Sequence, residues 1–292
     1  MSLFNFTGTL SGLPVFYFVT IRFFISLACA SLVAQEIPEN LQQGELVAWC
    51  IVPFDAAKRS PEQRAVMLKK LGLTRSAYDW RKEHVATFEE EILAYKKHDI
   101  EFFAFWGEHP TALQLFQKHK ITPQVWKMFA SPKGTSQEEK VIQAAKSLES
   151  LAKRTAAANC KLALYNHGGW SGKPANLVAV CQKLHETGHK HVGIVYNWHH
   201  GHDRINSWAK DLALMKPYLH CLNLNGMKEG AEFKILPLSL GEHETAMLQT
   251  LIDSGYSGPI GILDHRNDTD SKIALKANLD GLNILKNQLT DE

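Results

Sequence analysis

The 292-residue sequence has no long run of one charge sign and almost no excess of either: 32 Lys and Arg stand against 30 Asp and Glu, a formal net charge of +2. Wrapping nucleic acid needs a basic stripe that neutralises phosphates, so nucleic acid is excluded as a partner on charge. Cysteine is scarce, and no CxxC occurs. Beyond the N-terminal segment only Cys50, Cys160, Cys181 and Cys221 are present, each inside an apolar run, so they read as buried thiols and nominate no disulfide. What the sequence does have is apolar content: 45% hydrophobic against 21% charged residues suits a globular chain with a large core, as one large α/β domain or two small ones.

Charge is nearly absent from residues 1–35, where Arg22 stands alone in "LPVFYFVTIRFFISLACASLVAQ". The apolar stretch after Arg22, about a dozen residues, has the length of a signal-peptide core, and small residues follow at Ala28, Ala30 and Ala34. Residues 1–34 are therefore expected to be a signal peptide that directs export to the periplasm or beyond, with cleavage between Ser31 and Ile37. A retained membrane anchor, or a true start near Val19, are the alternatives. Once the segment is removed, no membrane association is expected. Cys29 follows Ser-Leu-Ala, a poor match to a lipoprotein cleavage site.

From residue 44 to 290, short apolar runs alternate with segments of helical period. Eight runs can be counted: "ELVAWCIV", "SAYDW", "IEFFAFW", "QVWKMFA", "KLALYNH", "HVGIVYN", "HCLNLNG" and "PIGILDH". Most are continuously apolar, as strands buried on both faces of a parallel sheet must be. Between them, Ser60-Pro61-Glu62-Gln63, Thr87 to Glu90 and Ser136 to Glu139 have capping-box spacing. Gly72 closes the first helix, and Leu275, Leu279, Leu282 and Leu285 stripe the last. Eight strand-then-helix units predict an α/β fold, a single-domain (β/α)8 TIM barrel; an open doubly wound sheet is the fallback.

In such a barrel the functional face lies at the C-terminal strand ends. Those ends carry Pro53 and Asp55; Asp79, Trp80 and Arg81; Trp106, Glu108 and His109; and Lys127. They continue with Tyr165, Asn166 and His167; Asn197, His199, His200 and His202; Asn223 and Asn225; and Asp264, His265 and Arg266. Amides and acids that grip hydroxyl pairs, with indoles that stack on C–H faces, suit a small polyhydroxylated ligand, a carbohydrate. Trp80, Trp106 and Trp198 serve equally as core packing, and His199 and His202 read as loop surface.

Five stretches, "LALYNHGGW" (162–170), "GIVYNWHHG" (193–201), "YLHCLNLNG" (218–226), "LSLGEHE" (238–244) and "GPIGILDH" (258–265), resemble the xylose isomerase-like TIM barrels. That superfamily holds sugar isomerases and epimerases, dehydratases and endonuclease IV-type nucleases. The resemblance implies a divalent-metal centre, with a Glu, an Asp, a His and a Glu at the ends of strands five to eight. Here Tyr165, Asn197 and Asn223 stand at the first three positions, and Leu263 or Asp264 near the fourth; Asn166, His167 and His200 are retained. Neutral amides and a phenol are weak ligands, so the usual site is not intact. A rearranged set, His167, His200, Asp264 and Glu108, supplies the candidates for metal binding and for catalysis. Tyr165, Asn166, Asn197, Asn223, Asn225, Trp106, Lys127, His265 and Arg266 are the substrate-binding candidates.

The expected activity is isomerase- or epimerase-like, or lyase or hydratase, on a sugar or keto-sugar. It requires a base beside a C–H next to a carbonyl and an electrophile for the oxyanion, with Lys127, Lys228 or Arg266 available for the latter. A non-catalytic barrel that binds a carbohydrate or a partner is the alternative. A nuclease would need a zinc cluster and a basic groove, and neither is visible.

Overall fold

Eight parallel strands close on themselves: β1 (Val47–Trp49), β2 (Arg75–Tyr78), β3 (Glu101–Trp106), β4 (Gln124–Lys127), β5 (Leu162–Tyr165), β6 (Val192–Asn197), β7 (Leu219–Leu224) and β8 (Ile260–Leu263). Closure is explicit in the first and last strands, where Ala48 of β1 lies opposite Ser76 of β2 on one side and Ile262 of β8 on the other. The (β/α)8 barrel replaces the open-sheet alternative. The computed structural model describes residues 36–230, 234–263 and 265–290. The expected signal segment and Asp264 lie outside the described residues.

Helices α1 (Pro61–Lys70), α2 (Phe88–Lys97), α3 (Pro110–His119), α4 (Gln137–Ala157), α5 (Pro174–Glu186), α6 (Trp208–Met215), α7 (Glu244–Asp253) and α8 (Ser271–Thr290) follow the strands in turn. Their starts follow the local chemistry. Ser60 Oγ accepts from the Gln63 N–H while Gln63 Oε1 accepts from the Ser60 N–H, and Ser136 and Glu139 repeat the exchange at α4. The spacing at Thr87 misleads. Residues 82–87 form a 3-10 stretch ahead of α2, and Thr87 Oγ1 donates back to the His84 carbonyl, so it does not cap the helix.

Two cores follow from the closed sheet. The larger lies between sheet and helices, built of aliphatic residues such as Leu68, Leu148, Leu212 and Leu285. The second fills the barrel with Val47, Trp49, Phe103, Trp126, Tyr165, Val195, Cys221 and Leu263. All four cysteines beyond the N-terminal segment are buried and none forms a disulfide, as the apolar runs around them imply. Among the described residues no helix is long and apolar enough to cross a membrane.

The barrel interior decides what the mouth can hold. Trp49 packs on Trp126 with ring centroids 4.2 Å apart and meets Trp106 edge-on at 5.9 Å, so indoles plug the axis below the C-terminal ends. Gly261 makes room for this plug. A Cβ there would stand 2.9 Å from Asn223 Oδ1 and 3.0 Å from Trp49. The plug confines the cavity to the top of the barrel.

Candidate active site

A cavity of about 470 Å³ opens at the C-terminal ends of the strands, the size of a small-molecule site. Its wall is aromatic on one side: Phe54, Trp80 and Trp106, with Met128 at the edge. Trp80 Nε1 donates to the Trp106 carbonyl at 2.7 Å, which fixes the indole against the mouth. Trp106 meets Tyr165 edge-on at 4.5 Å. His265 lies against Phe54 with ring centroids 3.9 Å apart, His167 and His200 lie next to Tyr165, and the other polar groups lining the cavity are Asp79, Arg81, Glu108 and Lys127.

Tyr165, Asn197 and Asn223 converge at the floor, but as one another's partners. Asn197 Nδ2 donates to the Tyr165 hydroxyl at 3.0 Å, and Asn197 Oδ1 accepts from Asn223 Nδ2 at 3.0 Å and from the His199 N–H at 3.1 Å. All three residues are buried. Burial also drives the Tyr165 phenol well above its usual pKa, so the hydroxyl keeps its proton. No anionic oxygen is present in this set, and its amide lone pairs are mostly engaged; only Asn223 Oδ1 lacks a partner. A divalent cation of the kind the resemblance implies needs carboxylates to replace its hydration, so these residues do not fit one. Among the described residues, no three His, Cys, Asp or Glu side chains group as metal ligands.

The imidazoles form a contiguous set. His167 and His200 have ring centroids 4.6 Å apart, His200 and His199 3.6 Å, and His199 and His265 5.5 Å. Burial, reinforced by the neighbouring His167 and His265, lowers the His200 pKa to about 3. Burial, with Arg81 next in effect, lowers that of His265 to about 4. Both are neutral at physiological pH. His199 departs from the loop-surface expectation: it is buried, its pKa is driven down by burial and by His200, and its Nδ1 has no partner.

The amides at other strand ends hold backbone. Asn166 Oδ1 accepts from the Asn197 N–H at 2.7 Å and its Nδ2 donates to the Asn197 carbonyl at 3.0 Å, which ties β5 to β6. Asn225 donates to the carbonyls of Gly226 and Lys234 at 2.7 and 2.8 Å, and His202 contacts the carbonyls of Lys228 and Lys234; both fasten the loop after β7 outside the cavity. Lys228 pairs with Glu242, away from the mouth. Trp198 is core, packed edge-on against Trp208. Arg266 follows His265 but does not line the cavity.

Among the described residues two acids line the cavity, and they differ. Burial would raise the pKa of Glu108, but hydrogen bonds from Arg154 and from Lys127, at 3.3 Å, outweigh it, so Glu108 is held below the usual carboxylate range as a fixed anion. Asp79 is the opposite case. It is 2% exposed; Oδ1 accepts a long 3.4 Å bond from the Val52 N–H, and Oδ2 is buried without a partner. Burial pushes its pKa up to about 7, against the lowering effect of Arg81. In the sequence Asp79 is one strand-end residue among many, with no motif around it; its burial and its unpartnered oxygen appear only in the fold.

Residues 55–287 match the xylose isomerase-like TIM barrel family. No curated protein matches the chain in sequence. Among solved structures it is similar to the 3-keto-D-glucoside 4-epimerase of E. coli in its apo form, with a TM-score of 0.63 at 14% identity over 83% of this chain and 99% of that one. It is also similar to the IolI protein with bound zinc, at TM-score 0.65 and 11% identity over 85% and 100% of the two chains. The D-psicose 3-epimerase of Clostridium cellulolyticum H10, solved with D-tagatose, gives 0.59 and 11% over 84% and 99%. At such identities the likeness is one of fold, and it agrees with the strand order, the closure and the family match: the chain belongs to the xylose isomerase-like TIM barrel family.

Proposed function

We propose that this protein is an isomerase- or epimerase-like enzyme that moves a proton at a carbon next to the carbonyl of a sugar or keto-sugar. The observation that carries the reading is the Asp79 carboxyl: buried, lining the cavity, with one oxygen that no protein group satisfies. A carboxyl poised near neutrality can both take and return a proton, and efficiency is greatest when its pKa lies near the working pH. In its ionised form Asp79 removes the C–H proton; the electron pair moves onto the carbonyl oxygen, giving an enediolate. Neutral His200 offers an imidazole N–H group to that oxygen, with the His167 ring beside it at 4.6 Å. For isomerisation Asp79 returns the proton to the former carbonyl carbon, while the hydroxyl proton on the neighbouring oxygen passes to the former carbonyl oxygen, so that the C=O moves by one carbon. For epimerisation a water molecule delivers a proton to the opposite face of the original carbon, and the hydroxide left behind takes the proton held by Asp79.

This assigns no step to a metal. The aromatic wall of Trp80 and Trp106 suits the C–H face of a sugar ring, and the Tyr165 hydroxyl is available to its hydroxyls. The test is exchange in deuterated water. Ketoses and keto-sugar acids incubated with the protein are expected to gain deuterium at the carbon next to the carbonyl, read by proton NMR. Binding of these sugars with no exchange at any carbon would favour the non-catalytic barrel instead.

The proposal extends to location. The single charge in residues 1–35 and the small residues before "EIPEN" support export with removal of the N-terminal segment. N-terminal sequencing of secreted or periplasmic protein is expected to start between Ser31 and Ile37; material that begins at Met1 would contradict this.

A further inference from the structure

Among the described residues, Arg59, Arg64, Arg75, Arg154 and Arg204 each pair with a carboxylate of the protein. Arg81 does not. It stands on the wall of the active-site cavity, with its guanidinium carbon 5.1 Å from the centre of the Phe54 ring. Its one side-chain hydrogen bond to protein runs to the Trp80 carbonyl at 2.8 Å, while its backbone N–H donates to His84 Nδ1. A guanidinium carries five N–H donors in a planar fork, so most of this one remains available. The aromatic contact and the carbonyl hold it at the cavity without neutralising it.

Among the described residues, the rest of the cavity offers Arg81 no ion-pair partner. Glu108 is shared between Lys127 inside and Arg154 outside, so one carboxylate serves two cations there. His200 and His265 are neutral, and Asp79 bonds the Val52 N–H rather than Arg81. Arg81 itself is exposed at the mouth and hydrated when the cavity is empty, and a sugar seated against Phe54, Trp80 and Trp106 displaces that water from the guanidinium. A neutral sugar would leave the guanidinium facing it unpaired. A carboxylate matches the fork with two parallel hydrogen bonds.

We infer that the ligand of this cavity is a sugar acid or keto-sugar acid whose carboxylate is held by the Arg81 guanidinium. The inference rests on the cavity being the carbohydrate site proposed above. A phosphate ester can also accept from a guanidinium fork, but its dianion calls for further positive charge, and among the described residues lining the cavity the other cation, Lys127, is already paired with Glu108.

Calorimetric titration of the protein with D-glucuronate, D-gluconate, D-glucose, D-fructose and D-fructose 6-phosphate tests this. The sugar acids are expected to bind at least tenfold more tightly than the neutral sugars. Arg81→Gln is expected to remove that preference while neutral-sugar binding and the melting temperature stay unchanged. Arg81→Lys, which keeps the charge but not the fork, is expected to fall between the two. Equal binding of acids and neutral sugars, a preference for the phosphate ester, or an undiminished acid preference in Arg81→Gln would each overturn the inference and leave the carbohydrate reading standing. Failure of every one of these compounds to bind would overturn both.

Discussion

Asp79→Asn is expected to slow proton exchange by about 10²- to 10⁴-fold, the contribution a positioned acid–base group makes, while the variant folds and becomes more stable at alkaline pH. The two effects have one origin. In the folded protein burial holds the proton of Asp79 up to about pH 7, whereas an unfolded chain releases it near 3.8. Between those values the folded state binds more protons than the unfolded state, so stability falls as pH rises from about 4 to about 7, and the full penalty is present above 7. Asparagine is isosteric and never ionises. The variant should therefore gain roughly 2–4 kcal/mol over the parent at pH 8 and little at pH 4, measured by denaturant unfolding. An unchanged exchange rate, or a variant that is less stable at pH 8, would sink the assignment of Asp79.

Acid is expected to unfold the parent through its histidines. His200 is held at about 3 and His220 at about 4, in both cases chiefly by burial, and His265 behaves similarly. In an unfolded chain the same groups take up protons near 6.5. Between these values the unfolded state binds more protons, so stability falls as pH drops below 6.5 and the loss levels off below about 3. His200 and His220 should each contribute on the order of 3 kcal/mol at the acid limit. Asp79 has the opposite slope over part of this window, so Asp79→Asn should make the acid fall steeper. The melting temperature between pH 7.5 and 4.5 gives the answer: a steep decline that His220→Asn partly flattens is the expected result, and a flat profile in the parent would count against buried neutral imidazoles.

The architecture is legible in the sequence because its signals are physical and local. Continuous apolar runs mean strands covered on both faces, and Ser60 and Ser136 carry complete capping chemistry, so the eight units and their order follow from the residues alone. Thr87 has the same spacing and fails, because the chain enters α2 through a 3-10 stretch that takes up its hydroxyl.

The site is legible only in part. That Tyr165, Asn197 and Asn223 depart from acidic ligands is plain in the sequence. Their mutual hydrogen bonding is not, because it depends on three strand ends meeting across the barrel. Asn166 and Asn225 illustrate the limit. A strand-end asparagine looks the same in sequence whether it faces a ligand or staples backbone, and the structure has both doing the latter. His199 and Asp79 were hidden for a related reason: burial of a polar group within a turn after a strand carries no periodic signal.

The central claim is that this barrel moves a proton with Asp79 over a neutral, hydrogen-bonded floor that has replaced a cation site. Its most direct test is the deuterium-exchange rate of chelator-treated protein with its most reactive sugar, measured with and without added manganese. The same rate is expected in both samples. Exchange that appears only when manganese is added, with one equivalent of metal retained at Tyr165, Asn197 and Asn223, would contradict it.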